Sequence, residues 1–279
     1  MQLTILASGS SGNTLCIESA GTCVLIDAGL SSRRLRERWQ RLHARPGAPA
    51  RPQPSAAFLT HEHADHVAGA DELATQGLPL YATAGTAAAA RLSARGRAQV
   101  RELGPGSPLV HGELTVLPVS VPHDAAEPVA YVISDGKLRL GVITDCGRPS
   151  PELARAFADC DALVLETNHD RAMLLGGPYA ERLKRRIASG EGHLSNAQSA
   201  ELLTAILAAS RVQPALLICA HLSKTNNQPA LAVAAVRAVL GRRPTRVLVA
   251  EQDQPLCPLT LEAGTPQPAP VGQQLDLGF

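Results

Sequence analysis

Four residues of metal-binding type, His61, His63, Asp65 and His66, fall within six positions of one another in the segment Thr60-His61-Glu62-His63-Ala64-Asp65-His66. Imidazole nitrogen and carboxylate oxygen are the donors of zinc and manganese sites. In a loop leaving a strand, His61 and His63 can face one way and grip one cation. Asp65 and His66 begin the next turn and can reach a second. The bland alternative, a polar surface loop with incidental histidines, fits so dense a cluster poorly. Further donors follow along the chain. His123 comes after Val119-Ser120-Val121-Pro122, Asp145 after Val142-Ile143-Thr144, and His221 after Leu217-Ile218-Cys219-Ala220. Each ends an apolar run, where strands deliver side chains to one rim of a sheet. Alone, each would read as a turn or cap residue; together with the cluster they read as metal ligands.

The sequence also outlines the elements that must deliver these donors. Apolar runs at 3–7, 14–18, 23–26, 56–59, 79–82, 113–119, 128–134, 138–143, 161–165, 214–219 and 245–249 read as strands. Periodic stretches at 32–43, 67–76, 150–158, 179–188, 196–209 and 229–240 read as helices. The pairs 14–18 with 23–26, and 128–134 with 138–143 across Asp135-Gly136, have hairpin spacing and imply antiparallel sheet. Strand–helix alternation elsewhere implies helices on the outer faces. The prediction is an α/β (α+β) fold of two mixed β-sheets with helices outside, rather than a doubly wound parallel sheet. The folded domain is expected over 1–252. The proline-rich stretch 44–55 reads as a loop, and 253–279, rich in Pro and Gln, as a disordered tail anchored at its start.

Composition narrows the class further. Of the 279 residues, 45% are hydrophobic but only 3% aromatic, so the core must be built from Leu, Val, Ile and Ala. Gly and Pro are frequent but not periodic, which excludes collagen-like repeats. No apolar run approaches the length of a membrane-spanning helix, so no membrane partner is expected. Residues 1–7 read as a first strand rather than a signal peptide, and a cytoplasmic protein is expected. A net charge of +1 gives no global field toward nucleic acid. The six cysteines lack CxxC spacing and read as buried reduced thiols.

In order, Asp27 of Leu25-Ile26-Asp27-Ala28-Gly29, the 61–66 cluster, His123, Asp145 and His221 resemble the metallo-β-lactamase fold superfamily over about residues 1–250. The resemblance implies a four-layer αβ/βα sandwich with two divalent metal ions, zinc or manganese, between the sheet edges. It assigns His61, His63 and His123 to one metal, Asp65, His66 and His221 to the other, and Asp145 as the bridge. Asp27 supports the cluster in that pattern; read without it, Asp27 is a strand-end turn residue.

The fold hosts many reactions and cannot choose among them. The third histidine here stands in Pro122-His123-Asp124-Ala125, unlike the Pro-Gly-His-Thr context of glyoxalase-like thioesterases and lactamases. The segments Leu165-Glu166-Thr167-Asn168-His169-Asp170, Gly192-His193-Leu194-Ser195-Asn196, and His221-Leu222-Ser223 before Asn226-Asn227 are similar to those of the nucleic-acid phosphodiesterase branches. With the opening Ser8-Gly9-Ser10-Ser11-Gly12-Asn13 they most resemble the YycJ/WalJ type, small bacterial enzymes associated with DNA exonuclease activity. The chain lacks the long helical insertion of larger relatives and the exosite arm of tRNA-processing endonucleases.

The chemistry follows from the residue types. Two cations can activate water at neutral pH and neutralise a phosphodiester's oxygens. The leaving alkoxide then needs a proton, for which His193 is the candidate acid with Glu166 orienting it. Asp65, His193 and Glu166 are the expected catalytic set. His169 reads equally as a substrate contact or a structural hydrogen bond. Ser8 and Asn13, in a Gly/Ser loop, and Ser223, Asn226 and Asn227 are candidates to cradle phosphate or hold the metal loops. Lys184-Arg185-Arg186 could track a strand backbone, whereas Arg33, Arg34, Arg36 and Arg38 read as a solvated helix face. The leading expectation is a DNA exonuclease of replication or repair; the alternative is a small-molecule or RNA phosphodiesterase of the same fold.

The last six residues, Gln274-Leu275-Asp276-Leu277-Gly278-Phe279, resemble the peptide by which bacterial replication and repair proteins bind the sliding clamp. Leu275, Leu277 and Phe279 would be apolar anchors on a polar tail, with Gln274 at the pocket rim. The clamp is thus an expected partner beside nucleic acid, DNA favoured, with a segment folded back on its own domain as the other reading.

Overall fold

Runs such as 162–165 and 216–220 are apolar at every position, the pattern of strands covered on both faces rather than one. In the computed structural model, which describes residues 1–43 and 52–267, they form the inner layers of a four-layer sandwich. The first part of the chain supplies β1 (Gln2–Ala7), β2 (Thr14–Ser19), β3 (Thr22–Ile26), α1 (Ser32–His43), β4 (Ala56–Phe58), α2 (Ala64–Val67), α3 (Ala70–Thr75), β5 (Leu80–Ala82), α4 (Ala84–Ala89), α5 (Ala94–Arg97) and β6 (Val100–Glu102). The middle supplies β7 (Leu109–His111), β8 (Leu114–Ser120), β9 (Val129–Ser134), β10 (Arg139–Ile143), α6 (Pro151–Ala156), β11 (Ala162–Glu166), α7 (Arg171–Gly176), α8 (Glu181–Ile187) and α9 (Asn196–Ala209). The last part supplies β12 (Val212–Gln213), β13 (Leu216–Ala220), α10 (Pro229–Leu240), β14 (Arg246–Val249), β15 (Leu256–Thr260) and β16 (Thr265–Pro266).

Two seven-stranded sheets result, in the orders β15-β1-β2-β3-β4-β5-β6 and β14-β13-β11-β10-β9-β8-β7. Both are mixed. Antiparallel hairpins β2–β3 and β9–β10 each pass into parallel pairing, β3 with β4 and β10 with β11. Alternation along each strand sorts the core into three parts. Ile5, Ile17, Val24, Phe58, Tyr131, Val142, Val164 and Ile218 meet between the sheets. Leu163, Leu165 and Cys219 face α6, α9 and α10, while Leu6, Leu25 and Leu59 face α1 and α3.

Three expectations change. The tail does not start at 253: β15 adds antiparallel to β1, with Leu3 opposite Leu259, and β16 pairs with β12. Pro258 hides this strand in the sequence, yet an edge strand tolerates a residue that cannot donate. Leu261 beyond it is buried. The continuous helix over 67–76 is two helices, parted where the Gly69 amide donates to the Ala28 carbonyl at 2.7 Å. And Arg38 is not solvated: its guanidinium is buried and donates to the carbonyls of Leu6 (2.5 Å) and Gln252 (3.0 Å), tying α1 to the end of β1. Residues 44–51 of the expected loop and 268–279 of the tail lie outside the described residues.

The two sheets are joined at one end by Tyr131 of β9. Its hydroxyl donates to the Leu59 carbonyl after β4 at 2.6 Å, and the nearby Val129 amide donates to the Thr60 carbonyl at 2.9 Å. Complete burial, reinforced by the Asp27 charge, raises the phenol well above its usual range and keeps it a donor. Tyr131→Phe removes a buried donor and leaves its acceptor without that partner, so it is expected to lower unfolding free energy by about 1–3 kcal/mol. Urea unfolding measures this; stability equal to wild type would mean that the bond contributes nothing.

Candidate metal centre

The joined end of the sandwich is where the strands release their polar residues. Asp27 follows β3, the 61–66 segment follows β4, His123 follows β8, Asp145 follows β10, Glu166 ends β11 and His221 follows β13. Asp27, Asp145 and His221 take left-handed backbone conformations, with φ of 61°, 54° and 55°. That region is sparsely populated outside glycine, and it costs on the order of 1–3 kcal/mol per residue. The chain accepts it at three strand ends of one site. Asp65 and His66 lie on the first turn of α2, as their spacing predicts.

His61, His63 and His123 form the first group of converging donors. His63 Nδ1 lies 3.0 Å from His61 Nε2 and 3.2 Å from His123 Nε2. The Gly192 carbonyl accepts from His123 Nδ1 at 2.8 Å, which fixes the tautomer and leaves Nε2 a free lone pair. Burial, helped by neighbouring imidazoles, lowers His61 well below and His123 below the usual histidine range. Both rings are therefore neutral, the form that binds metal.

Asp65, His66 and His221 form the second. Asp65 Oδ2 is 3.5 Å from Nε2 of both histidines. Asp27, fully buried, accepts from His66 Nδ1 at 2.7 Å and from the amide and hydroxyl of Thr60; it orients His66 as the Gly192 carbonyl orients His123. Asp145 stands between the groups, with Oδ2 3.0 Å from His66 Nε2 and Oδ1 3.8 Å from His123 Nε2. Burial opposes a charge on His66 and His221, but Asp145 and the other carboxylates override it, raising His66 well above its usual range and His221 to about 10. Two observations fit this donor set to divalent cations. Asp145 Oδ2, 3.0 Å from His66 Nε2, and His221 Nε2, 3.5 Å from Asp65 Oδ2, are buried among donor atoms without a well-directed hydrogen bond. And Asp65, Asp145 and Glu166 crowd around His66 and His221, a concentration of carboxylate that favours positive charge at this point.

Glu166 has no exposed surface. Its Oε1 accepts from His193 Nδ1 at 2.8 Å and from His221 Nδ1 at 3.1 Å, and its Oε2 from the amides of Cys146 and Leu194. Burial alone would raise this carboxyl; the His193 charge and these hydrogen bonds bring it down to about 2. Glu166 in turn raises His193 against the effect of burial. His193 is partly exposed and lines a cavity of about 390 Å³ with His63, Asp65, Asp145 and His221.

The remaining candidates divide into those that hold loops and those at the cavity. Ser8 Oγ accepts the His221 amide at 2.8 Å. Asn13 donates to Asp65 Oδ2 at 3.3 Å and lies 3.0 Å from His66 Nε2. The Ser8–Asn13 loop is a structural turn: the amides of Gly9, Ser11, Gly12 and Asn13 are bonded to Asn13, Gln252, Gly9 and Asp65. Gly29 packs against it so closely that any side chain would strike the Asp65 carbonyl. His169 is buried, held neutral by burial with a pKa of about 4, and lies outside the donor groups. The Asn227 side chain bonds to Thr167 and Asn196 and braces the loop after His221; Asn226 contributes its backbone amide, to Ser223 Oγ, while its side chain is buried without a hydrogen bond. Ser223 lines the cavity. The basic run splits: Lys184 is buried against the Leu175 carbonyl, whereas Arg186 lines the cavity and donates to Asp124 at 2.5 Å. Sequence reasoning missed Thr60, whose hydroxyl contacts Asp27, His61 and His66, and Tyr179 at the cavity wall. Neither carries a signal in the linear sequence beyond adjacency to a motif.

Residues 22–221 match the beta-lactamase superfamily domain. The chain is 35% identical over 209 residues to exodeoxyribonuclease WalJ of Streptococcus pneumoniae, covering 73% of this chain and 76% of that one. It is 32% identical over 210 residues to exodeoxyribonuclease YycJ of Bacillus anthracis, covering 74% and 78%. The metallo-beta-lactamase fold protein YhfI of Bacillus subtilis superimposes with a TM-score of 0.66 at 17% identity, over 91% of this chain and 98% of that one, which shows the shared fold. No helix among the described residues is long and apolar enough to cross a membrane. A shared fold, an ordered set of donors and relatives of this identity lead to one conclusion: the chain belongs to the metallo-β-lactamase superfamily of metal-dependent hydrolases, in the family of the WalJ and YycJ exodeoxyribonucleases.

Proposed function

We propose that the chain is a dinuclear metal-dependent DNA exonuclease of replication or repair. The observation that carries this reading is the Glu166–His193 pair, 2.8 Å apart, beside two donor groups between which Asp145 stands. Phosphodiester hydrolysis expels an alkoxide, a leaving group that needs a proton, and an oriented imidazole supplies one. Two zinc or manganese ions, one on His61, His63 and His123 and one on Asp65, His66 and His221 with Asp145 shared, would neutralise the phosphate oxygens and lower the pKa of water. Glu166 accepts from His193 Nδ1, so Nε2 is the atom from which the leaving oxygen takes its proton. Asp27 and the Gly192 carbonyl keep His66 and His123 in the ligating tautomer. Asp65, with 23% of its side chain exposed, is the carboxylate at the reacting face. The relatives named exodeoxyribonucleases support DNA as the polymer and removal from an end as the mode. The terminal hexapeptide with Gln274, Leu275, Leu277 and Phe279 supports recruitment to the sliding clamp.

Three outcomes test this reading. With Mn²⁺ or Zn²⁺, end-labelled DNA should shorten stepwise and matched RNA should not; His193→Ala should cost about 10²–10⁴-fold on DNA and much less on a 4-nitrophenyl phosphodiester, whose leaving group needs no proton. Turnover of the small diester with no cleavage of any polymer would replace this reading by the small-molecule alternative. Metal binding should release at least one proton at pH 7, because His66 and His221 are raised and must deprotonate to ligate, so affinity should fall as pH falls; calorimetry in buffers of different ionisation enthalpy measures this. Deleting residues 274–279 should abolish clamp binding in a pull-down and leave hydrolysis in free solution intact; loss of hydrolysis would place the tail in the catalytic fold.

A further inference from the structure

The cavity over the donor groups has two unlike sides. Its floor is the ionisable cluster; one wall is the segment 179–187, which contributes Tyr179, Leu183, Arg186 and Ile187. Leu183 and Ile187 are one helical turn apart on α8 and so share a face. Leu183 is 37% exposed, one of the four large hydrophobic residues exposed among the described residues. An apolar wall left in water beside a charged floor suits a ligand that is itself half apolar and half anionic. A nucleotide is such a ligand, and a cavity of about 390 Å³ falls at the small end of ligand-site sizes.

The wall is fixed to the reacting groups. The Ile187 carbonyl accepts the His193 amide at 2.9 Å. Gly192 passes so close to the carbonyls of Arg186 and Ile187 that no side chain fits there. Buried Lys184 bonds the Leu175 carbonyl at 2.8 Å and joins α8 to α7. Arg186 Nε donates to Asp124, next to His123, and the Arg186 side chain, about half exposed, lines the cavity.

We propose that Tyr179, Leu183 and Ile187 form a platform for the nucleobase adjoining the scissile phosphate, and that Arg186 holds the neighbouring phosphate. The proposal rests on the nuclease reading and adds the substrate form. A base lying on Tyr179 has left its own stack and pair, so the chain takes an unpaired DNA end in preference to a blunt duplex. Stacking on an aromatic ring tolerates any base and is worth about 1–3 kcal/mol, and a guanidinium on phosphate adds no base selectivity.

The test uses the full-length, metal-loaded chain. Its readouts are the ratio of DNA to bis(4-nitrophenyl) phosphate turnover and the binding of a labelled oligonucleotide by fluorescence anisotropy. Wild type should prefer a DNA end carrying a short unpaired overhang to a blunt end. Tyr179→Ala should lower the DNA-to-small-diester ratio by about 5- to 150-fold, chiefly through KM, and Tyr179→Phe should restore it. A terminal abasic nucleotide should cost wild type a similar factor and cost Tyr179→Ala little more, the coupling expected of groups in contact. Arg186→Ala should reduce the salt dependence of oligonucleotide binding by about one phosphate contact. An unchanged ratio in Tyr179→Ala, or equal loss on both substrates, would overturn the platform while leaving the nuclease reading standing. Failure of the wild type to degrade any DNA while it hydrolyses the small diester would overturn both.

Discussion

Everything at the joined end of the sandwich answers to one electrostatic constraint. Asp27, Asp145 and Glu166, all but free of solvent exposure, meet His61, His66, His123 and His221 where burial leaves little water to screen them. Ionised groups removed from water are tolerable only when paired and hydrogen-bonded. The chain meets the requirement in a graded way. Asp27 is balanced by His66 and Thr60, and Glu166 by His193, His221 and two backbone amides. Of these three, Asp145 is the one with an oxygen that lacks a well-directed hydrogen bond, facing His66 Nε2 at 3.0 Å. The centre is thus a set of negative charges arranged around positions where positive charge must sit.

That arrangement explains why the surrounding structure is strained and close-packed. Three strand ends adopt left-handed backbone, and Gly29 and Gly192 allow the main chain to approach the donor loops where a side chain would collide. Ser8, reaching from the first strand, holds the amide of His221 far along the sequence. Local stability is spent on geometry, as is usual where function fixes atom positions. The compensation lies in the rest of the fold: two sheets buried on both faces, and the Tyr131–Leu59 bond that stops them separating beside the site.

The same site is asymmetric in its chemistry. Its polar floor carries the features common to phosphodiester hydrolysis, and its apolar wall belongs to a helix bonded directly to His193. In the proposed reading, a wall bonded to the His193 segment would set the distance between the base it holds and the reacting phosphate. Substrate form and chemistry would then follow from one packing arrangement, in keeping with catalysis that draws on binding energy away from the bond being broken.

Much of this was legible in the chain. The donor types at 61–66, the apolar runs ending in His123, Asp145 and His221, and the two hairpins were readable because they depend on short-range order: strand periodicity, turn residues and ligand spacing. Other features were not. Pro258 concealed β15, because only a position at the sheet edge makes a proline acceptable there. Arg38 read as a surface charge, because its acceptors, Leu6 and Gln252, are distant in sequence. Lys184 and Arg186 read alike, and only packing separates the buried one from the one at the cavity. Sequence determined which groups exist and roughly where strands release them. Tertiary structure decided which groups share a centre, which hold it in place and what wall stands over it, because those are consequences of through-space distance and burial, which residues far apart in the chain acquire only when the sheets close.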